Sequence, residues 1–217
     1  MIFTDRADAG RQLAARLERY RAEEPVVIGL PRGGVVVAGE VARALGAPLD
    51  VMVVRKLGAP YNPEYAIGAL AGGEIVLNPE TRPDDLPPGY LDKVISAETR
   101  ELERRERLFR GGRAAAALAG RTVIVVDDGL ATGSTAVAAV RALRRAEPRR
   151  IVLAVPVAAP DALARLARAA DEVVCLHEPP DFRAVSLWYR VFDQTTDAEV
   201  VDLLARAARP AGAETTR

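Results

Sequence analysis

A chain of 217 residues and 23.2 kDa, 49% hydrophobic and 28% charged, is long enough for one domain with a real core and too apolar for a disordered segment. Thirty basic residues balance thirty acidic ones, so no global positive field marks nucleic acid as a partner. One cysteine (Cys175) and one histidine (His177) exclude an internal disulfide and a Cys- or His-rich metal site, and no apolar run approaches the roughly 18 residues of a membrane span.

In chain order, the start MIFTDRADAG lacks the layout of a secretory signal, and the expected location is the cytoplasm. Strands are predicted at 26–30, 49–54, 74–77, 122–127, 150–155 and 172–176. Four of them (VVIGL, VMVV, VIVVD, IVLAV) are nearly unbroken apolar runs, the pattern of strands buried on both faces of a parallel sheet. Helical spacing appears at 34–45, 134–145 and 161–170, so the expected fold class is α/β: a mostly parallel sheet flanked by helices. Residues 56–78, rich in Gly, Pro and Asn, read as a long loop or a small excursion from the sheet, and 79–88 as a proline-rich connector. Residues 90–110 form a charged helix with Glu101–Arg105, Glu103–Arg107 and Glu106–Arg110 at i,i+4 spacing, ended by Gly111-Gly112. The tail from Ala205 reads as frayed. One domain over 1–217 is expected, with 56–112 as a loop and helical insertion.

The segment VIVVDDGLATGST, residues 123–135, carries the most chemistry. An apolar strand runs into Asp127 and Asp128, then into a turn with the hydroxyls of Thr132, Ser134 and Thr135 at the start of a helix. Orphan amides and the positive helix end suit that turn to a phosphate. Two carboxylates beside a phosphate call for hydroxyl donors or a metal ion, and a ribose 5-phosphate offers a diol together with the phosphate. A Walker A loop needs a Gly-Lys-Ser/Thr that is missing here, and no G-x-G-x-x-G follows a strand.

VIVVDDGLATGST resembles the signature of type I phosphoribosyltransferases: four apolar residues, two acids and a loop ending in Thr-Gly-x-Thr. The resemblance implies that Asp127 and Asp128 hold the ribose hydroxyls of phosphoribosyl diphosphate (PRPP) and its Mg²⁺, and that Ala131, Thr132, Gly133, Ser134 and Thr135 hold its 5-phosphate. GLPRGGV at 29–35 is similar to the family's diphosphate loop, with Arg32, Gly33 and Gly34 as ligands. VRKLG at 54–58 resembles the opening of the flexible loop in adenine-type members, which gives Arg55 and Lys56 roles on the diphosphate. Within NPEYA, Glu64 is a candidate proton donor or acceptor for the base. Ala131 stands where 6-oxopurine members carry an aspartate, so the loop is closer to adenine-type members. Residues 178–195 are a candidate hood, with Phe182 or Trp188 stacking on the base. Cys175 reads as core, and His177 as a residue at the end of the last strand that could face the base.

The expected function is transfer of the 5-phosphoribosyl group of PRPP to a nitrogenous, purine-like base with release of pyrophosphate. The alternative is a non-catalytic regulator of the same fold that binds PRPP or a nucleotide. The resemblance also implies a homodimer working on small molecules.

Overall fold

The computed structural model describes residues 2–78 and 80–208, with Pro63 and Glu64 as backbone only. Helix α1 (Arg6–Leu17) opens the chain, capped by the Asp5 carboxylate, which accepts the Asp8 N–H at 2.7 Å. Strand β1 (Val26–Gly29), helix α2 (Gly33–Leu45) and strand β2 (Leu49–Val51) follow as a parallel crossover unit. The predicted 49–54 strand breaks at Met52–Val53, where the chain leaves the parallel sheet.

Residues 54–77 are an excursion, not a loop. Strands β3 (Val54–Ala59), β4 (Asn62–Ala71) and β5 (Glu74–Leu77) make a separate three-stranded antiparallel sheet. Gly72 and Gly73, at φ +52° and +81°, form the two-residue turn between β4 and β5, a conformation suited to glycine. Helix α3 (Tyr90–Arg110) then returns along the molecule, and the three i,i+4 pairs expected on it all form.

The second half alternates as expected: β6 (Thr122–Val126), α4 (Ser134–Arg144), β7 (Arg150–Val157), α5 (Pro160–Leu166) and β8 (Glu172–His177). A final helix, α6 (Asp197–Ala207), carries a reciprocal capping box between Thr196 and Glu199. The frayed reading of the tail gives way to helix as far as Ala207, and residues 209–217 lie outside the described residues.

The main sheet runs β2-β1-β6-β7-β8, all parallel. Alternate residues of its strands feed two cores, each side chain worth about 1.5–3 kcal/mol of burial. Val27, Ile124 and Val126 face α1, α2, α3 and α6 on one side. Val26, Ile28, Val123 and Val125 face α4 and α5 on the other. The antiparallel sheet rests on α4 through a small apolar cluster, Ala69 and Ala71 against Ala138 and Ala142 with Val54 and Val76 beside them, and through an ion pair from Arg145 to Glu74.

Candidate functional site

Strand order places the site. From β1 the chain crosses outward to β2, and from β6 it crosses the other way to β7, so a crevice opens between the carboxyl ends of β1 and β6. Ligands of open α/β sheets lie at such a reversal. Two helices point their N-termini into it, α2 from Arg32 and α4 from Gly133, and neither first turn has a side-chain cap. Both therefore offer free amides and positive helix ends to an anion.

Asp127 and Asp128 stand at the end of β6. The Asp128 N–H donates to Asp127 Oδ1 at 2.9 Å, and no cation pairs with Asp127 among the described residues. Burial and then the charge of Asp128 push the Asp127 carboxyl well above the ordinary carboxylate range. Asp128 is also raised by burial, but a guanidinium opposes this: Arg6 Nε lies 2.7 Å from its Oδ2. Arg6 is itself fixed, donating to the Asp193 carbonyl at 2.7 Å and stacking 3.8 Å over the Phe192 ring. Behind the pair, the Tyr189 hydroxyl donates to the Asp128 carbonyl.

The glycine loop packs against these acids without room for a side chain. A Cβ on Gly33 would lie 1.9 Å from Asp128 Oδ2, and one on Gly34 2.8 Å from the Asp127 Cα. The Pro31–Arg32 peptide is cis. Arg32 leans toward α6, with Nη1 3.7 Å from Asp197 Oδ1.

Across the crevice, Leu130 is bridged to Ala158, which fixes the start of the second loop. Ala131 and Thr132 are exposed, whereas Gly133 is buried at φ +74° with Leu166 3.2 Å from where a Cβ would be. A side chain there would be strained twice, by conformation and by contact.

A cavity of about 570 Å³ joins these parts, lined by Pro31, Asp127, Thr135, Arg55, Lys56 and Glu98 among others. The excursion thus brings Arg55 and Lys56 into the cavity that Asp127 lines, from a strand. Arg55 is held by Glu98 of α3, Nε to Oε2 at 2.6 Å.

Phe182 and Trp188 are not among the residues lining this cavity; they pack partly buried in a cluster around Phe3, Val157 and Tyr189. Trp188 meets the His177 ring edge-on, with centroids 4.7 Å apart. Glu64 belongs to β4, and its side chain lies outside the described residues. Burial pushes the Cys175 thiol up to about 11, in keeping with a core residue.

Arg6 and Glu98 were missed at the level of sequence. Asp5 as a helix cap before an amphipathic run signals α1, but nothing local says that its first residue reaches a carboxylate 122 positions away.

The phosphoribosyl transferase domain model matches residues 3–186. Two provisionally named phosphoribosyl transferases of Mycobacterium tuberculosis, from strains CDC 1551 / Oshkosh and ATCC 25618 / H37Rv, are each 51% identical over 210 residues. The match takes in 96% of this chain but 47% of theirs, so the chain spans about half the length of these curated relatives. The crystal structure of TT1426 from Thermus thermophilus is 47% identical, with a TM-score of 0.83, over 96% of this chain and 100% of that one.

Proposed function

The chain belongs to the phosphoribosyl transferase family, and from that premise we propose that it transfers the 5-phosphoribosyl group of PRPP to a ring nitrogen of a purine-like base, releasing pyrophosphate. One observation carries the reading: two uncapped helix N-termini and an acid pair end at one crevice, where Arg55 and Lys56 line the same cavity as Asp127 and Thr135.

In this reading the α4 turn, from Ala131 to Thr135, binds the 5-phosphate through backbone amides and hydroxyls. Asp127 and Asp128 accept hydrogen bonds from the ribose hydroxyls and fix the sugar's orientation. The uncapped start of α2, with Gly33 and Gly34, receives the diphosphate, and Arg55 and Lys56 face it from β3. The base nitrogen attacks the anomeric carbon, and the bond from that carbon to the diphosphate oxygen breaks with its electron pair leaving on pyrophosphate. The base then sheds its extra proton. We keep Glu64 as the candidate proton acceptor and Phe182 or Trp188 as candidate base contacts.

A divalent cation fits the acid pair. Asp127 presents a carboxylate to the cavity with no cationic partner among the described residues, a cost that a bound cation relieves. Two carboxylates, with no third carboxylate, histidine or cysteine grouped beside them among the described residues, match Mg²⁺, which keeps water and phosphate oxygens as its remaining ligands. Asp127 and Asp128 would hold it, and when bound it supplies positive charge against the departing diphosphate.

Calorimetric titration of PRPP, with and without Mg²⁺, tests the site. Mg²⁺-dependent binding that disappears in Asp127→Ala/Asp128→Ala is expected, followed by pyrophosphate release with one of a panel of bases. Absence of PRPP binding would overturn the reading. Binding with no turnover on any base would leave a PRPP-binding regulator.

A further inference from the structure

Beside the first turn of α4 lies a second cavity, of about 540 Å³. Thr135 lines the crevice cavity, and Ser134, also part of the proposed 5-phosphate turn, lines this one, so the two spaces border each other at the start of α4. Part of its wall is apolar: Val137 and Val140 from α4, Val76 and Leu77 from β5. Four arginines line much of the rest, Arg141 and Arg144 on α4, Arg165 on α5 and Arg168 just beyond it, with Asn78, Glu80 and Ser134 among the other polar groups. The two pairs have the same three-residue spacing, so two neighbouring helical segments each turn a pair of guanidinium groups toward one space.

The arginines here differ from most others in the molecule. Arg43, Arg104 and Arg149, for example, each meet a glutamate at 2.6–2.8 Å. In the second cavity only Arg144 is in an ion pair, with Asp171 at 2.8 Å. Arg141, Arg165 and Arg168 have no carboxylate partner among the described residues, and Glu80 is the one acid among the described lining residues. Like charges gathered around a cavity repel, and an anion there reverses the sign of that energy. Guanidinium groups match phosphate oxygens in pairs.

The dimensions decide what kind of anion. A volume of this size suits a small molecule. The apolar wall gives a flat, uncharged ring system a surface to lie against, which free phosphate or diphosphate does not need. A nucleic-acid strand would require a basic track continuing past the cavity, and the chain has no net positive charge to support one.

We infer that this cavity is a second anion site, for a nucleoside di- or triphosphate whose phosphates pair with Arg141, Arg165 and Arg168 while its base lies on the apolar wall. The site is separate from the crevice cavity and does not depend on the transfer reaction proposed above.

The test is calorimetric titration of ATP and GTP into wild type, Arg141→Gln/Arg165→Gln/Arg168→Gln and Asp127→Asn. All three substituted arginines are exposed and unpaired, so the triple variant should fold, and its thermal midpoint checks this. Saturable nucleotide binding is expected in wild type and Asp127→Asn, weakened at least about tenfold in the arginine variant. No saturable binding, or binding indifferent to the arginines, would overturn the inference. Equal affinity for inorganic tripolyphosphate would overturn the nucleoside part of it. Tighter binding of a short RNA oligonucleotide would replace it with a nucleic-acid site.

Discussion

Asp127 answers two opposed demands. The proposed chemistry needs its charge, and the fold is better off without it, because burial and the neighbouring Asp128 both disfavour ionisation. Its folded-state proton affinity is raised above the ordinary value of 3.8, so the folded protein binds more protons than the unfolded chain between those two values. Stability therefore falls as pH rises through that window. Asparagine keeps the oxygen that accepts the Asp128 N–H and removes the charge. Asp127→Asn should melt at or above the wild-type temperature at pH 7, with the difference vanishing as pH is lowered toward 3.8. The same variant should lose PRPP binding. Melting curves across pH, paired with calorimetry, check both halves; a lower midpoint at pH 7 would show that the charge supports the fold.

Helix α2 shows how one element divides between site and scaffold. Its first residue, Gly33, has the Asp128 carboxylate 1.9 Å and Arg6 Nε 2.5 Å from a would-be Cβ, and those two groups are tied to each other. Gly39, two turns on, has nothing nearer than Leu203 Cδ2 at 3.8 Å. Gly33→Ala should lower the melting temperature and abolish PRPP binding. Gly39→Ala should add about 0.5–1 kcal/mol of stability in urea titrations and leave binding intact. Opposite signs from the same substitution in one helix would separate close approach from helix propensity, and equal losses would show that the whole helix resists change. The sequence GLPRGGV signalled a tight strand-to-helix turn, but the need for bare backbone came from groups on α1 and β6. The excursion teaches a related point. Gly72-Gly73 between short apolar runs is a legible hairpin signal, whereas the partner of β3 was obscured by Pro60, Pro63 and small residues that weaken any alternation.

Across the whole molecule, long-range polar ties fix elements that apolar burial alone would leave free to slide. Asp50, 8% exposed in β2, accepts the Val51 N–H, the Ala116 N–H and Arg110 Nε at 2.7, 2.8 and 3.1 Å. It thereby binds the end of α3 and the connector after it to the edge of the main sheet. Asp50→Ala leaves the Val51 and Ala116 amides without their carboxylate acceptor, while Arg110 keeps Glu106 and the Val51 carbonyl, and should cost about 2 kcal/mol. The urea midpoint should fall with an unchanged slope. An unchanged midpoint would mean that α3 is held by its apolar face, through Leu102 and Phe109, without this tie. Among the described residues no helix is long and apolar enough to cross a membrane.

Local information sufficed for the α/β class, the parallel strands and the acid pair followed by a glycine- and hydroxyl-rich turn into a helix. Strands buried on both faces must be continuously apolar, and a helix start that binds anions needs small residues and hydroxyls in consecutive positions. Those constraints act over a few neighbouring residues, so the chain displays them directly. Tertiary structure alone decided that Arg6 meets Asp128, that Glu98 holds Arg55, that Phe182 and Trp188 join the cluster around Phe3 and Tyr189, and that four arginines from two helical segments share one cavity. Each depends on crossovers that bring together residues far apart in the chain, and side-chain type at either end carries no record of its partner.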